Sequence, residues 1–321
     1  MFDFIGLGEL LVDFLPGDQP RTYIRHAGGA PANVAVSVAR NGLRSGFCGK
    51  LGNDEFGHFL IKTIEGNNVT NLCSSMCDDA ITTMSFVTLD EFGERHFTFA
   101  RKPGADTRLE INDLPIEEIK NCRIFHTGSC SLSMGSTINA TIEAIETAKL
   151  SQQAKVSFDV NYRDSIWNGS RDLAKKAVFS TINSLDFIKL STEEADILGG
   201  KENFRDIMTR HDVSLIVLTE GKSGATAFYK DLIVQENGIE TDVVDTTGAG
   251  DAFWGAFLSS ILRSTDGYIK EITETEITKA LKYGNISGMM AVQKKGAIDA
   301  IPGIKRIEQM FKDLFGKCET I

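Results

Sequence analysis

Residues 245–253 read DTTGAGDAF, two aspartates around three small residues, directly before the apolar run AFWGAFLSSIL. Gly248 and Gly250 let a ligand approach the backbone closely. The apolar run makes this the first turn of a buried helix, whose free N–H groups and dipole attract anions. Gly248, Ala249 and Gly250 thus form a candidate oxyanion cradle, and Asp251 hangs its carboxylate beside whatever anion they hold. Two readings of Asp251 stand side by side. As a helix cap it is interchangeable with Ser or Asn; as a base taking the proton of a hydroxyl that attacks phosphorus, it must be a carboxylate.

A second constellation is HAGGAPANVAVSVARNG, residues 26–42. Gly28 and Gly29 make a turn, Pro31 suits the first helical turn, and Asn33 is an amide on the opening face of the helix. Standing alone, this is a tight strand-to-helix connection. Composition limits the partners. Lys plus Arg total 34 against 44 Asp plus Glu, a net charge of -10, which argues against nucleic acid. The six cysteines lack a C-x-x-C pair and the five histidines are scattered, so zinc-site spacing is missing and reduced thiols of a cytoplasmic protein are expected. The apolar N-terminus is cut by Asp3, Glu9 and Asp13, unlike a signal peptide or membrane span.

These residues need elements to carry them. Short β-rich runs (FDFIGLGELLVDF, RSGFCGKLG, CRIFHTGS, AKVSFDVN, DFIKLS, SLIVLTEG) alternate with segments whose apolar residues recur every three to four positions: PANVAVSVARNG, DEFGHFLIKTIEGN, GSTINATIEAIETAKL, DLAKKAVFSTINS and TEEADILGG. The alternation predicts βαβ units, hence a doubly wound, mostly parallel α/β sheet flanked by helices, with ligands at the carboxyl ends of the strands. One segment breaks the rhythm. ITTMSFVTLDEFGERHFTFAR, residues 81–101, has a β-hairpin pattern around DEFGE and reads either as an extension of the sheet or as a lid.

GGAPANVA near the start, the hairpin, DVNYR in the middle and DTTGAGDAF late occur in the order of one family. The sequence resembles the ribokinase-like, or PfkB-type, carbohydrate kinases over essentially its whole length. The resemblance implies a single kinase domain over residues 1–321, with a small β-lid from about 13–26 and 81–106. It also implies ATP as phosphoryl donor, magnesium and potassium. The set FARKPGAD, DVNYRDSIW and KLSTEEADILGG is most similar to the fructokinase branch. That branch implies transfer to the terminal CH₂OH of a neutral sugar, D-fructose first; ribokinase, 2-keto-3-deoxygluconate kinase and aminoimidazole riboside or nucleoside kinases are the alternatives. A sugar-binding regulator without chemistry is a remote one. The implied partners are sugar and ATP, with neither nucleic acid nor membrane, and a homodimer formed through the lid.

By the resemblance, Asp251 is the catalytic base and Gly248, Ala249 and Gly250 supply amides to the transferred phosphate. Asp13, Gly29, Asn33 and Arg163 line the sugar site, joined from the lid by Phe97, Phe99 or Arg101. Read from the residues alone, Asp13 also fits a strand-end turn and Arg163 an ion pair with Asp159. For ATP the resemblance points to Thr219, Gly221 and Gly224 of TEGKSG, with Asn285 beside the adenine. In KLSTEEA the family's usual Asn is replaced by Ser191, while Glu194 keeps the carboxylate that organises magnesium through water. The potassium site resembles one built from Asp245, Thr247, Ala291, Lys294 and Gly296, mostly through backbone carbonyls.

Overall fold

A computed structural model describes residues 1–316 except 18, 20 and 90–94; the side chains of 89 and 95–97 also lie outside it. Its strands are β1 (Phe4–Leu7), β2 (Leu11–Pro16), β3 (Tyr23–Gly28), β4 (Ser45–Cys48), β5 (Val69–Asn71), β6 (Met84–Leu89), β7 (Arg95–Ala100), β8 (Ile124–Gly128), β9 (Lys155–Asp159), β10 (Phe187–Ser191), β11 (Leu215–Thr219), β12 (Gly224–Tyr229) and β13 (Leu232–Asn237). The helices are α1 (Ala30–Arg40), α2 (Glu55–Gly66), α3 (Ile116–Lys120), α4 (Thr137–Ser151), α5 (Arg171–Thr181), α6 (Phe204–His211), α7 (Ala249–Ser264), α8 (Glu274–Ala291), α9 (Ala297–Ala300) and α10 (Ile304–Phe315). Nine strands form one sheet in the order β13-β12-β11-β10-β9-β8-β1-β4-β5, parallel from β11 to β5 and antiparallel from β11 to β13. The order reverses direction at β1, the kind of switch point where ligands gather in open α/β sheets. None of the described helices is long and apolar enough to cross a membrane.

A second, four-stranded sheet has the order β3-β2-β6-β7. The sequence suggests one strand through FDFIGLGELLVDF; the structure divides it between the two sheets. Gly8 sits at the break with φ 148°, and a Cβ there would come within 2.8 Å of the Pro31 ring. A residue with a side chain would keep the chain from turning out of the large sheet at this point. The 90–94 turn of the expected hairpin lies outside the described residues, but β6 and β7 pair antiparallel from Met84↔Ala100 to Leu89↔Arg95. TEEADILGG, expected as a helix, is a 3₁₀ stretch over Thr192–Leu198. Its start is fixed by a Ser191/Glu194 capping box, and Gly199 and Gly200 end it with φ 84° and 95°.

Helices α1 and α7 are the elements that matter most for the site. Trp254, Phe257, Leu258 and Ile261 of α7 are fully buried, as are Val34, Val36 and Val38 of α1. Burying side chains of this size contributes about 1.5–3 kcal/mol each. The two helices cross closely: a Cβ on Gly255 would stand 2.3 Å from that of Ser37. One turn back from this contact on each helix stand Asn33 and Asp251, so the close crossing brings those two side chains face to face.

Candidate active site

Gly248, with φ 75°, is the N-cap of α7, and Asp251 falls in the first turn. The carboxylate oxygen Oδ2 accepts a hydrogen bond from Asn33 Nδ2 at 2.7 Å. Asn33 and Asp251 are 3% and 8% exposed, so the contact is almost dry. A bond across the two helices is no part of a cap, and it favours the reading of Asp251 as a working carboxylate. Of the three small residues before it, Ala249 turns its amide inward, donating to the Thr246 carbonyl at 3.3 Å. A Cβ on Gly250 would approach Lys189 Nζ to 3.0 Å, so glycine keeps the cradle open above that ammonium.

Lys189 is the residue the sequence reading missed. Its Nζ donates to Asp159 Oδ2 at 2.9 Å, and both residues are buried. Burial opposes the Lys189 charge, but Asp159, Glu194 and Asp251 outweigh it and raise the pKa. Burial, with Glu194 and Asp251 nearby, also drives the Asp159 carboxyl upward. Of these carboxylates Asp159 alone bonds the ammonium directly. The signal in the sequence was a lysine inside the otherwise apolar strand DFIKLS. Asp159 is paired with Lys189 rather than with Arg163. Arg163 is exposed by surface area, yet Glu194, Asp251 and Asp159 all act on its charge, and together with Cys130 they outweigh burial and raise its pKa.

The small sheet supplies a polar row. His26, Asp13, Ser85 and Phe99 are register partners across β3, β2, β6 and β7. Such neighbours share a face. The Asp13 carboxylate lies over Gly28, where a Cβ would come within 2.2 Å of Oδ2. Burial raises the Asp13 pKa to about 6, and Asp245 adds to the rise, while His26 and Arg163 oppose it. Gly29, at φ 119°, is the N-cap of α1. Phe97 pairs with Val87 through the backbone, and its side chain is outside the described residues. Arg101 is buried and engaged elsewhere: Nε and an NH₂ group hold Asp106 Oδ2 at 2.8 and 2.7 Å, and NH1 donates to Ser133 Oγ at 3.2 Å. Nearby, Glu9 Oε1 accepts the Ala30 amide at 3.0 Å, while burial raises the Glu9 pKa to about 7.

The expected nucleotide residues lie at the end of β11, in the turn into β12 and on α8. Thr219 Oγ1 donates to the Leu190 carbonyl at 3.3 Å. Gly221 and Gly224 take φ 56° and 105° at the turn into β12. Both donors of the Asn285 amide are occupied, on Asn237 O at 3.0 Å and Glu236 O at 3.2 Å, which leaves its oxygen for a ligand. Glu194 accepts two backbone amides, Tyr162 at 2.7 Å and Ser191 at 2.8 Å, so it builds the loop after β9 whatever else it holds. Among the described residues no three His, Cys, Asp or Glu side chains cluster to hold a metal. A buried Asp245 instead organises backbone: Oδ1 accepts the Thr247 amide at 2.8 Å and Oδ2 the Gly296 amide at 3.0 Å. Ala291 and Lys294 belong to the same corner, joined by Lys294 N–H to Ala291 O at 3.3 Å. The Asp245 amide donates to Val292 O at 3.1 Å, so the corner holds a single carboxylate among backbone groups, a set without the several carboxylates that bind a divalent ion.

Phosphoryl transfer asks for positioning and charge stabilisation more than covalent chemistry. A dry carboxylate at the start of α7 and a second carboxyl, Asp13, on the small sheet suit a kinase for a small hydroxylic acceptor. The comparisons agree, for the family model "pfkB family carbohydrate kinase" matches residues 1–303, and the chain belongs to that family. Among curated relatives, "Fructokinase-2" of Zea mays is 35% identical over 316 residues, covering 95% of this chain and 93% of its own. A fructokinase from Xylella fastidiosa with bound ATP superimposes with TM-score 0.88 at 28% identity, covering 98% of this chain and 99% of its own. A fructokinase double mutant from Vibrio cholerae O395, in a form with fructose, ADP and potassium ion bound, gives TM-score 0.85 at 32% identity, with 95% and 96% covered.

Proposed function

We propose that the chain is an ATP-dependent kinase that phosphorylates D-fructose at its terminal CH₂OH, giving fructose 6-phosphate. The observation that carries this is the Asn33–Asp251 contact, which aims a carboxylate beside the Gly248–Gly250 turn. Asp13 and Arg163 hold sugar hydroxyls, and the β3-β2-β6-β7 sheet is the lid that keeps water out, with Phe99 on its inner row. Asp251 accepts the proton of the terminal hydroxyl as that oxygen attacks the γ-phosphorus of ATP; the phosphorus–ADP oxygen bond breaks and ADP leaves. The amides of the cradle and the Lys189 ammonium stabilise charge on the transferring oxygens. Thr219, Gly221, Gly224 and the Asn285 oxygen seat the nucleotide. Glu194 would help to hold magnesium, which would supply positive charge to the phosphates, and the Asp245 corner would hold potassium, which would order the adjoining backbone.

The test is an ADP-release assay over fructose, ribose, adenosine, 2-keto-3-deoxygluconate and fructose 6-phosphate. Fructose is expected to give the highest kcat/KM; fructose 6-phosphate as a much better acceptor would overturn the reading. The reaction is assigned to the cytoplasm, since free thiols at Cys48, Cys73, Cys77, Cys122 and Cys130 suit a reducing compartment. Tyr23 and Ile24 on the lid edge strand are 46% and 48% exposed, which supports pairing of two lids in a homodimer. A monomer mass by light scattering would set that pairing aside.

A further inference from the structure

Two residues with no part in the chemistry above, His26 and Asp299, tie the lid to the loop that closes on Asp245. His26 Nδ1 lies 2.7 Å from Asp299 Oδ2, across 273 residues of sequence. A carboxylate accepts, so Nδ1–H donates and the ring orientation is set. The ring also lies against Gly296, where a Cβ would come within 2.6 Å of Nδ1 and 3.1 Å of Cγ. The side chains are 14% and 63% exposed, so the bond itself adds little stability. Its contribution is geometric.

On one side His26 stands opposite Asp13 in the β2–β3 ladder. On the other, the Gly296 amide donates to Asp245, which also receives the Thr247 amide. Next along, Ala297 fills the space beside Gly248, where a Cβ would meet its own at 2.8 Å. The far end of the loop is pinned, because Arg40 NH1 donates to Ile298 O at 2.7 Å and Ile301 O at 2.6 Å. The loop is therefore fixed at one end by α1 and positioned at the other by a lid residue. From Asp13 through His26, Gly296 and Ala297 to Gly248 the neighbours are contiguous, with Asp245 joined at Gly296, as coupling between sites requires.

We infer that His26, held by Asp299, is a positioning residue that couples sugar binding in the lid to monovalent-cation binding at the Asp245 corner. The inference rests on the kinase reading above. A sugar gripping Asp13 steadies the β2–β3 register, and His26 then keeps Gly296 where its loop can coordinate. In reverse, a cation that orders the loop steadies His26 and the lid. Linkage makes the two effects equal in size.

The experiment titrates fructose into the full-length protein by calorimetry without nucleotide. Potassium chloride and choline chloride buffers of equal ionic strength are compared for the wild type, His26→Ala, His26→Gln and Asp299→Ala. Potassium is expected to tighten fructose binding about fivefold or more in the wild type and less than about twofold in His26→Ala. Asp299→Ala is expected to fall between them; because Asp299 is largely exposed, this variant keeps the test alive if His26→Ala folds poorly. Coupling of wild-type size in both the His26→Ala and Asp299→Ala proteins would overturn the inference, as would a wild type whose fructose affinity ignores potassium. Turnover separates the two failures. A wild type that phosphorylates fructose while the ligands bind independently defeats the coupling alone, whereas one that neither binds nor phosphorylates fructose defeats the kinase reading and the coupling with it.

Discussion

Replacing Asn33 by Asp exchanges the amide nitrogen that faces Asp251 Oδ2 at 2.7 Å for a carboxylate oxygen, in a place where both side chains are buried. Two costs follow. A hydrogen bond to a charged acceptor is lost, worth about 1.5–3 kcal/mol. Two carboxylates with charge centres about 4 Å apart also repel by about 4 kcal/mol at an effective dielectric of ~20. Such a pair relieves the repulsion by sharing a proton, and the shared proton removes the base. Four kcal/mol corresponds to about three pH units. The acidic limb of log kcat against pH is therefore expected to move upward by about two to three units, with kcat at pH 5 down about ten- to a hundredfold and recovering above pH 7. Asn33→Ala lacks the added charge but loses the bond that favours the ionised form, so its limb is expected to move upward by about one unit, less than in the Asp variant. The assay is steady-state ADP release at saturating fructose and ATP, with melting curves on the same preparations. A wild-type pH profile in the Asp variant would refute the argument. A rise confined to the KM for sugar would return Asn33 to the role of a sugar contact.

Asp251→Asn keeps an oxygen to accept from Asn33 and removes the base, so kcat is expected to fall at least about a hundredfold, or about 2.7 kcal/mol, with the melting temperature nearly unchanged; near-normal turnover in a folded variant would refute the catalytic role. Asp13 must be ionised to accept sugar hydroxyls, and its pKa is raised to about 6, so kcat/KM for the sugar should fall about tenfold per unit as pH drops below that value. A flat profile from pH 7 to pH 5 would count against it. Glu9, raised from 4.5 to about 7, binds its proton more tightly folded than unfolded. Its contribution to stability is therefore fully present below pH 4.5 and is lost as pH rises through 7, on the order of 3 kcal/mol in all. Glu9→Gln should accordingly melt above the wild type at pH 8, with the gap closing toward pH 4.5; a gap independent of pH would contradict this.

The alternation of elements and the GAG-Asp251 turn were legible because each is written in one short window: a strand period, a helix period, or glycines before an apolar run. The path of the first strand was not, since Gly8 turns the chain only because Pro31 packs on it from α1. Asn33 was read as a sugar contact, and its bond to Asp251 depends on the Gly255–Ser37 crossing of two helices more than two hundred residues apart. The Lys189–Asp159 and His26–Asp299 pairs are long-range in the same way. A charged residue in an apolar strand was the one local hint of the first. Nothing near His26 hints at the second.

The division of the first apolar run between two sheets has a consequence for how such an enzyme can be re-engineered. The small sheet comes from β2, β3, β6 and β7, while the turn that carries Asp251 comes from Asp245–Asp251. The small sheet and the turn that carries Asp251 are thus encoded in separate stretches of the gene. Two contacts join these parts: Asn33 on α1, which follows β3 directly, stands against Asp251, and His26 on β3 stands against Asp299 and Gly296. A graft of foreign strands onto this scaffold leaves the Asp251 turn and Asn33 unaltered and has one contact to preserve, the one that β3 makes through His26.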